Sequence, residues 1–374
     1  MHSNKFVYPS LQFKNLNHNH KRYQVVGKSF IDFKNIKLLV EKFPQPKVVF
    51  YGRNIEEKIL NLFLSDQIIF GSKKYIKQDY KNWIKKIQYF TKRQESLQFS
   101  ILGFPFKVPM PLKTNRILPD MGEILGLSRL VAIVRLIRKI YPPSAQITIF
   151  TEESFAKFAG LSKFEAIQYQ VHLIKLIKKL NYEKELKVVS LSRMEKLKEF
   201  KNLYVDLLSK NKKKLEKKEP KIIKAYKEAG PPIEKIINSR KYGNALLQDV
   251  FNLKLKNTSK YVFEIRKNIQ NMAKKAFVQY FSYIEVKNQL DFITKVMGFN
   301  LPLTVSPKKG RLGVIPVDKH IKILPYHGVT IYSPLKNKFD IIYLVDLENS
   351  LLKTRAIFLK GDKDSKPFYY ELMK

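Results

Sequence analysis

Residues 100–152 constrain the fold of this chain more than any other stretch. They contain most of an apolar strand over Gln98–Phe106, a basic proline-stiffened loop, an apolar helix opening at Asp120, and a second strand over Gln146–Phe150. A helix set between two strands in this way predicts the crossover of a parallel sheet. The loop leaves the C-terminal end of the first strand, which is where open α/β sheets bind ligands. Asp120 with Glu123 three residues on matches a capping box, and Tyr141-Pro142-Pro143 stops the helix.

The rest of the pattern extends this unit. Helical spacing runs over 54–70 and 75–90, Ser162 with Glu165 predicts a helix to about Leu180, and Lys187–Leu191 predicts a third strand. Residues 192–299 read as mainly helical and Lys-rich, opened by a cap at Ser192 and densest in charge over 209–221. After Asn300, the runs Arg311–Val317, Val329–Ser333, Ile341–Leu347, Arg355–Lys360 and Phe368–Leu372 are β-type, separated by turn residues. Residues 1–45 are polar and weakly periodic, and read as a loosely packed extension. The expected architecture is therefore α/β. It comprises a parallel-sheet core with flanking helices over 46–191, a helical excursion over 192–299, and an antiparallel β addition over 300–374.

Composition narrows the chemistry. The chain has no cysteine, which excludes disulfides, thiolate catalysis and Cys-ligated metal centres. Its formal net charge of +39 favours anionic partners, although charge speaks to association and not to fold. The N-terminus lacks the apolar core of a signal peptide, and no run approaches the ~18 apolar residues of a membrane span. A cytoplasmic protein without membrane contact is expected. No GxGxxG, Walker A, GxSxG or HExxH pattern is present.

Several residues could carry chemistry, each beside a structural alternative. Lys107, Lys113 and Arg116 could clamp a phosphate or carboxylate, Arg as a bidentate fork and Lys as a point charge; the alternative is an ordinary surface loop. Asp120 and Glu123 suit acid–base work or helix capping. Glu152, at the end of the second strand, suits a base; the acidity of Thr151-Glu152-Glu153 would equally favour a helix dipole. His327, between Tyr326 and Gly328, suits proton transfer near neutral pH, or a structural role. His18 and His20 lie in the polar extension without a nearby carboxylate, so no metal site is expected. The lysine cluster over 209–221 suits a solvated helix face better than a nucleic-acid track, because aromatics are sparse within it.

Four motifs occur in order: Phe104-Pro-Phe-Lys107, Pro119-Asp120-Met-Gly-Glu123, Tyr141-Pro-Pro-Ser-Ala-Gln-Ile-Thr-Ile149 and Pro325-Tyr-His-Gly328. Through them the chain resembles the isocyanide (isonitrile) synthases of the pyoverdine/dityrosine biosynthesis family, from about residue 50 to 335. The resemblance implies a Rossmann-like fold. It also implies an enzyme of secondary-metabolite biosynthesis that turns the α-amine of an amino acid, an aromatic one foremost, into an isocyanide. The new carbon would come from ribulose 5-phosphate, without metal or organic cofactor.

By the same resemblance Lys107, Asp120, Glu123 and His327 carry the phosphate and acid–base groups, and residue chemistry adds Glu152 to the catalytic set as a base. Lys107, Lys113 and Arg116 suit a phosphate anchor by their own chemistry, Tyr326 takes a substrate-side role, and Arg240 and Asp249 match a further Arg…Asp segment of the family. An iron- and 2-oxoglutarate-dependent oxygenase is the partner protein implied. The chain departs from the family at Thr151-Glu152-Glu153, at Pro302 and Ser306 where an arginine and a histidine are usual, and at Tyr326 where tryptophan is usual. A member with different or no catalytic activity is the alternative reading, and a basic nucleic-acid-binding protein is a further one.

Overall fold

The computed structural model describes residues 24–71, 73–107, 113–152, 158, 162–242, 260–306 and 308–373. In chain order, β1 (Gln24–Ile31) and α1 (Phe33–Glu41) precede α2 (Ile55–Leu64), α3 (Lys74–Gln78) and α4 (Tyr80–Thr91). β2 (Leu97–Leu102) then leads to α5 (Met121–Ile140), β3 (Ala145–Thr151), α6 (Lys163–Lys179) and β4 (Leu186–Ser190). The excursion holds α7 (Phe200–Glu216), α8 (Pro220–Tyr242), α9 (Lys260–Gln289) and α10 (Phe292–Met297). β5 (Leu301–Thr304), β6 (Leu312–Gly313), β7 (Val329–Ser333), β8 (Lys338–Ile342), α11 (Leu344–Glu348), β9 (Lys353–Leu359) and β10 (Tyr369–Leu372) complete the order.

Two sheets form. The first has strand order β4-β3-β2-β5-β6 and is parallel throughout. The chain winds outward from β2 through β3 to β4, then returns after the excursion to the other side of β2. That reversal between β2 and β5 opens a crevice at the C-terminal strand ends. The second sheet, β1-β9-β10-β7-β8, is mixed. Its β9–β10 and β7–β8 pairs are antiparallel, whereas β1–β9 and β10–β7 are parallel.

α5 lies between the sheets, touching β3 on one side and β7 and the Pro325–His327 turn on the other. This explains its composition. It is buried along nearly its whole length, including Glu123, Ser128 and Arg129. A helix covered on all sides loses the polar stripe that a surface helix keeps. Ser128 meets this burial by donating to the Ile124 carbonyl and contacting the Tyr182 hydroxyl. The excursion helices α8 and α9 bring their own apolar cluster, including Ile222, Ile233, Ile237, Ile269 and Phe277.

Several expectations need correction. Residues 24–41 are not loosely packed: β1 pairs in parallel with β9, and α1 buries Ile36 and Val40. Their polar average concealed a strand whose partner lies near the other end of the chain. Residues 1–23 and the His18/His20 pair fall outside the described residues. Ser192 does not open a long helix; a 3-10 turn spans Leu191–Lys196, capped by the Ser190 side chain, and α7 begins at Phe200. The buried Leu191 and Met194 suit the three-residue repeat of that turn. The run Ile341–Leu347 divides between the end of β8 and α11, and only Leu312–Gly313 of Arg311–Val317 pairs as strand. The expected antiparallel C-terminal addition is present in the β9–β10 and β7–β8 pairs, and the parallel β10–β7 and β1–β9 pairs join them into one mixed sheet.

Two glycines set the distance between α5 and the Pro325–His327 turn. A Cβ at Gly122 would lie 2.7 Å from the Pro325 carbonyl oxygen, and one at Gly126 would lie 2.9 Å from the Pro325 ring. Gly122→Ala is expected to lower unfolding free energy by about 1–3 kcal/mol through overpacking against backbone. Urea denaturation checks this, and an unchanged midpoint would contradict the close approach.

Candidate functional site

The basic loop and the start of α5 are joined by a buried ion cluster. Asp120 is the N-cap of α5, its Oδ1 accepting from Gly122 N–H at 2.8 Å, and Glu123 Oε2 accepts from Asp120 N–H at 2.8 Å. The capping box expected from sequence therefore forms. The same carboxylates also hold Lys107, whose Nζ lies 2.9 Å from Glu123 Oε2 and in direct contact with Asp120 Oδ2. All three side chains are excluded from solvent. Tyr169, on α6, donates to Glu123 Oε1 at 3.1 Å. Capping and charge pairing thus coexist in the same two acids.

Burial raises the Glu123 carboxyl to about 7; the Asp120 charge pushes the same way, and the Lys107 ammonium opposes both. The Tyr169 phenol is pushed well above its ordinary range by burial and by the Glu123 carboxylate it faces. It therefore stays protonated and serves as a donor.

Arg116 is placed elsewhere. It is 1% exposed, pairs with Asp362, donates to the Lys366 carbonyl, and stands 3.9 Å from Asp120 Oδ2 and from Asp364 Oδ2. Its guanidinium lies over the Phe368 ring at 5.4 Å. Asp364 also accepts from the Ile117 and Leu118 amides. Arg116 fastens the loop to the segment between β9 and β10, and does not line the cavity described next. Its distant partners Asp362 and Asp364 had no local signal in the sequence.

Beside the ion cluster lies a cavity of about 250 Å³. Pro105, Phe106, Lys113 and Thr114 of the loop line it, with Glu152 at the end of β3 and with Tyr326 and His327 of the turn. Pro232 and Ile236 of α8 and Tyr280 of α9 close the remaining side. The turn is held by its seat on Gly122 and Gly126 and by the Tyr326 ring, which meets Phe104 edge-on at 5.9 Å between centroids. Phe104 has φ +48°, an uncommon backbone conformation for a residue with a side chain. The contact thus falls on a locally constrained backbone.

The cavity groups have distinct protonation states. His327 is driven down to about 3, first by burial and then by Lys113 and Lys107, so its ring stays neutral and offers one nitrogen as a hydrogen-bond acceptor. Glu152 is raised by burial, against the pull of Lys287 and Lys308, the hydrogen bond from Tyr280, and Arg311. Tyr280 and Tyr326 are raised by burial and by nearby carboxylates, which keeps both phenols protonated. Lys113 is lowered by burial and by Lys235.

Lys113, Glu152, Tyr326 and His327 thus share one cavity, and Lys107, Asp120 and Glu123 form the cluster beside it. The backbone of Arg240 lies in α8, while its side chain, Glu153 and Asp249 are outside the described residues. Tyr169, Tyr280, Lys287 and Arg311 were not singled out from sequence, because helical and loop spacing alone does not show which face meets a distant strand end. Among the described residues, no group of three or more His, Asp or Glu side chains is placed to hold a metal ion. No described helix is long and apolar enough to cross a membrane.

The model of the pyoverdine/dityrosine biosynthesis protein family matches residues 87–291, and the chain belongs to that family. It is 31% identical over 98 residues to L-tryptophan isonitrile synthase AmbI2 of Fischerella ambigua, a match covering 26% of this chain and 30% of that protein. It is 30% identical over 132 residues to the spore wall maturation protein DIT1 of Saccharomyces cerevisiae, covering 35% of this chain and 23% of that protein. The chain therefore matches less than a third of the length of either relative. The PvcA protein of Pseudomonas aeruginosa shares the fold, with a TM-score of 0.65 at 17% identity over 86% of this chain and all of that one.

The Glu123 environment has a consequence for stability. Its folded value of about 7 exceeds the ordinary 4.5. Its contribution is therefore fully present below pH 4.5 and lost as pH rises through about 7. Wild type is expected to lose stability relative to Glu123→Gln across that window. Parallel pH profiles in urea denaturation would contradict the assignment.

Proposed function

We propose that this protein condenses the α-amine of an amino acid with the ketone of ribulose 5-phosphate and carries the product on to an isocyanide. Family membership supports the reading, as do relatives named as L-tryptophan isonitrile synthases. The observation that carries it is the cavity itself. A neutral imidazole, a carboxyl raised by burial and two protonated phenols face one space, with a lysine on its wall.

Condensation forms a C–N bond and expels water, so it needs a base for the amine proton and an acid for the departing hydroxyl. His327 relays the amine proton toward the departing hydroxyl in this scheme without holding it, because its ring is neutral and lines the cavity. Glu152, hydrogen-bonded to Tyr280, is the acid. Tyr326 donates to the ketone oxygen, and Lys113 meets an anionic group of either substrate. Lys107, Asp120 and Glu123 act one step back: they fix the loop and the helix start against which the turn is seated. Aromatic amino acids suit the aromatic walls formed by Phe106, Tyr280 and Tyr326.

A second reading has its own observation. Pro302 is a member of β5, paired with Ser100, and Ser306 closes a turn with Thr304. Neither side chain supplies the cation that the resembling family carries there. A relative named for spore wall maturation instead of isonitrile synthesis accords with members of different activity.

Incubating the purified protein with aromatic and aliphatic amino acids and ribulose 5-phosphate, with mass-spectrometric detection of isocyanide, separates the two. Product is expected, with His327→Ala lowering turnover by about 100- to 10,000-fold. Absence of isocyanide from every amino acid would sink the first reading.

A further inference from the structure

A second cavity, of about 500 Å³, lies toward the other end of α5 from the ion cluster. α1, the C-terminal half of α5 and the chain leaving α6 frame it. Three cations line it, Lys37 from α1 and Arg135 and Lys139 from α5. Arg135 and Lys139 stand one turn apart, so both project from the same face of α5. Lys37 and Glu41 are likewise one turn apart on α1. Among the described residues Glu41 is the single carboxylate on the wall, so the lining carries three positive charges against one negative.

Neighbouring cations are already engaged: Arg138 pairs with Glu185, and the Lys179 ammonium lies over the Phe33 ring. Lys37, Arg135 and Lys139 form no ion pair among the described residues, although Glu41 shares their cavity. The dipole of α5 accounts for Lys139, which sits in its last turn. It does not account for Lys37, in the middle of α1, or for Arg135, one turn further back. The Arg135 guanidinium is held over the Tyr182 ring at 5.6 Å, and the Tyr182 hydroxyl contacts that of Ser128 at 3.1 Å. A guanidinium steadied in this way loses less freedom on gripping an anion. Val40, Leu136 and Leu180 give the same cavity an apolar side.

We propose that this cavity is a binding site for a small organic phosphate, separate from the cavity beside the ion cluster. Arg135 grips two phosphate oxygens as a planar fork, and Lys37 and Lys139 add point charge from the two facing helices. The organic body lies against Val40, Leu136 and Leu180, and the Glu41 carboxylate accepts from its hydroxyl groups. The volume falls within the roughly 300–1,000 Å³ of small-molecule sites, which suits a nucleotide or a sugar phosphate. A phosphate held there ties α1 to the helix whose other end carries Asp120 and Glu123. The assignment does not depend on the condensation reading.

Titration calorimetry of the full chain with pyrophosphate, ATP and ribulose 5-phosphate provides the test. Physiological ionic strength screens exposed charges more than about 8 Å apart, which suppresses attraction by the net charge alone. Wild type is compared with Lys37→Gln, Arg135→Gln and the control Lys201→Gln, which removes an exposed charge from α7. ATP or ribulose 5-phosphate is expected to bind wild type more tightly than pyrophosphate. Each cavity variant is expected to weaken that ligand by about tenfold, the worth of one charge-assisted contact, with the control unchanged. The ligand that is weakened identifies the source as nucleotide or sugar phosphate. Arg135 is exposed and Lys37 half-buried, and glutamine is a good helix former, so at least one variant keeps the fold. Ribulose 5-phosphate binding that survives in both variants while ATP binding is lost belongs to the first cavity and upholds the proposal. No binding of either organic phosphate to wild type, affinities unchanged in every folded cavity variant, an equal loss in Lys201→Gln, or pyrophosphate binding as tight as both would overturn it.

Discussion

The buried contact of Lys107 with Asp120 and Glu123 is the constraint on which the rest of the site depends. A lone ammonium in that position would be costly, and so would either acid without it. Breaking such a group from one side typically costs about 3–5 kcal/mol. Because the two acids are also the N-cap and third residue of α5, the contact fixes the helix start and the basic loop together. The helix start in turn carries Gly122 and Gly126, on which the Pro325–His327 turn is seated. One charge cluster thereby sets the position of a histidine two hundred residues further along the chain.

The parts legible in the sequence were those set by short-range rules. The capping boxes at Asp120 and Ser162 follow from side chains three residues apart, and both form. β2, α5, β3, α6 and β4 also follow from periodicity and stop signals. β1 did not, because a strand at a sheet edge owes its order to its neighbour, here β9. Asp362 and Asp364 did not, because a carboxylate pair in a loop has no pattern that names a distant arginine. Tyr169 and Tyr280 look like ordinary core aromatics until the helices are packed. The cavity itself draws its wall from the loop, the turn and the excursion at once, so no single window of sequence contains it.

The site also shows how one environment separates groups of similar intrinsic acidity. Burial acts on all of them, raising carboxyls and phenols and lowering the imidazole. Neighbouring charge then decides the rest. His327 is lowered further by two lysines, whereas Glu152 is pulled back by the cations behind it. Groups that would otherwise compete for the same proton are thus sorted into acceptor and donors before any substrate arrives.

The return of the chain to β5 after the long helical excursion bears on how the molecule is made. The parallel sheet lacks the strand beside β2 until residues 301–304 have been synthesised, and the second sheet waits longer still, since β1 pairs with residues 353–359. The apolar edge of β2 and the polar backbone of β1 therefore stay without partners for most of translation. Pairings between such distant segments carry a large loop-closure cost and form late. A nascent chain of this design exposes sticky strand edges for longer than one built from sequential hairpins. Truncation near the C-terminus would consequently remove β9 and β10 from the middle of the second sheet and leave β1 without its partner, far beyond the few residues removed.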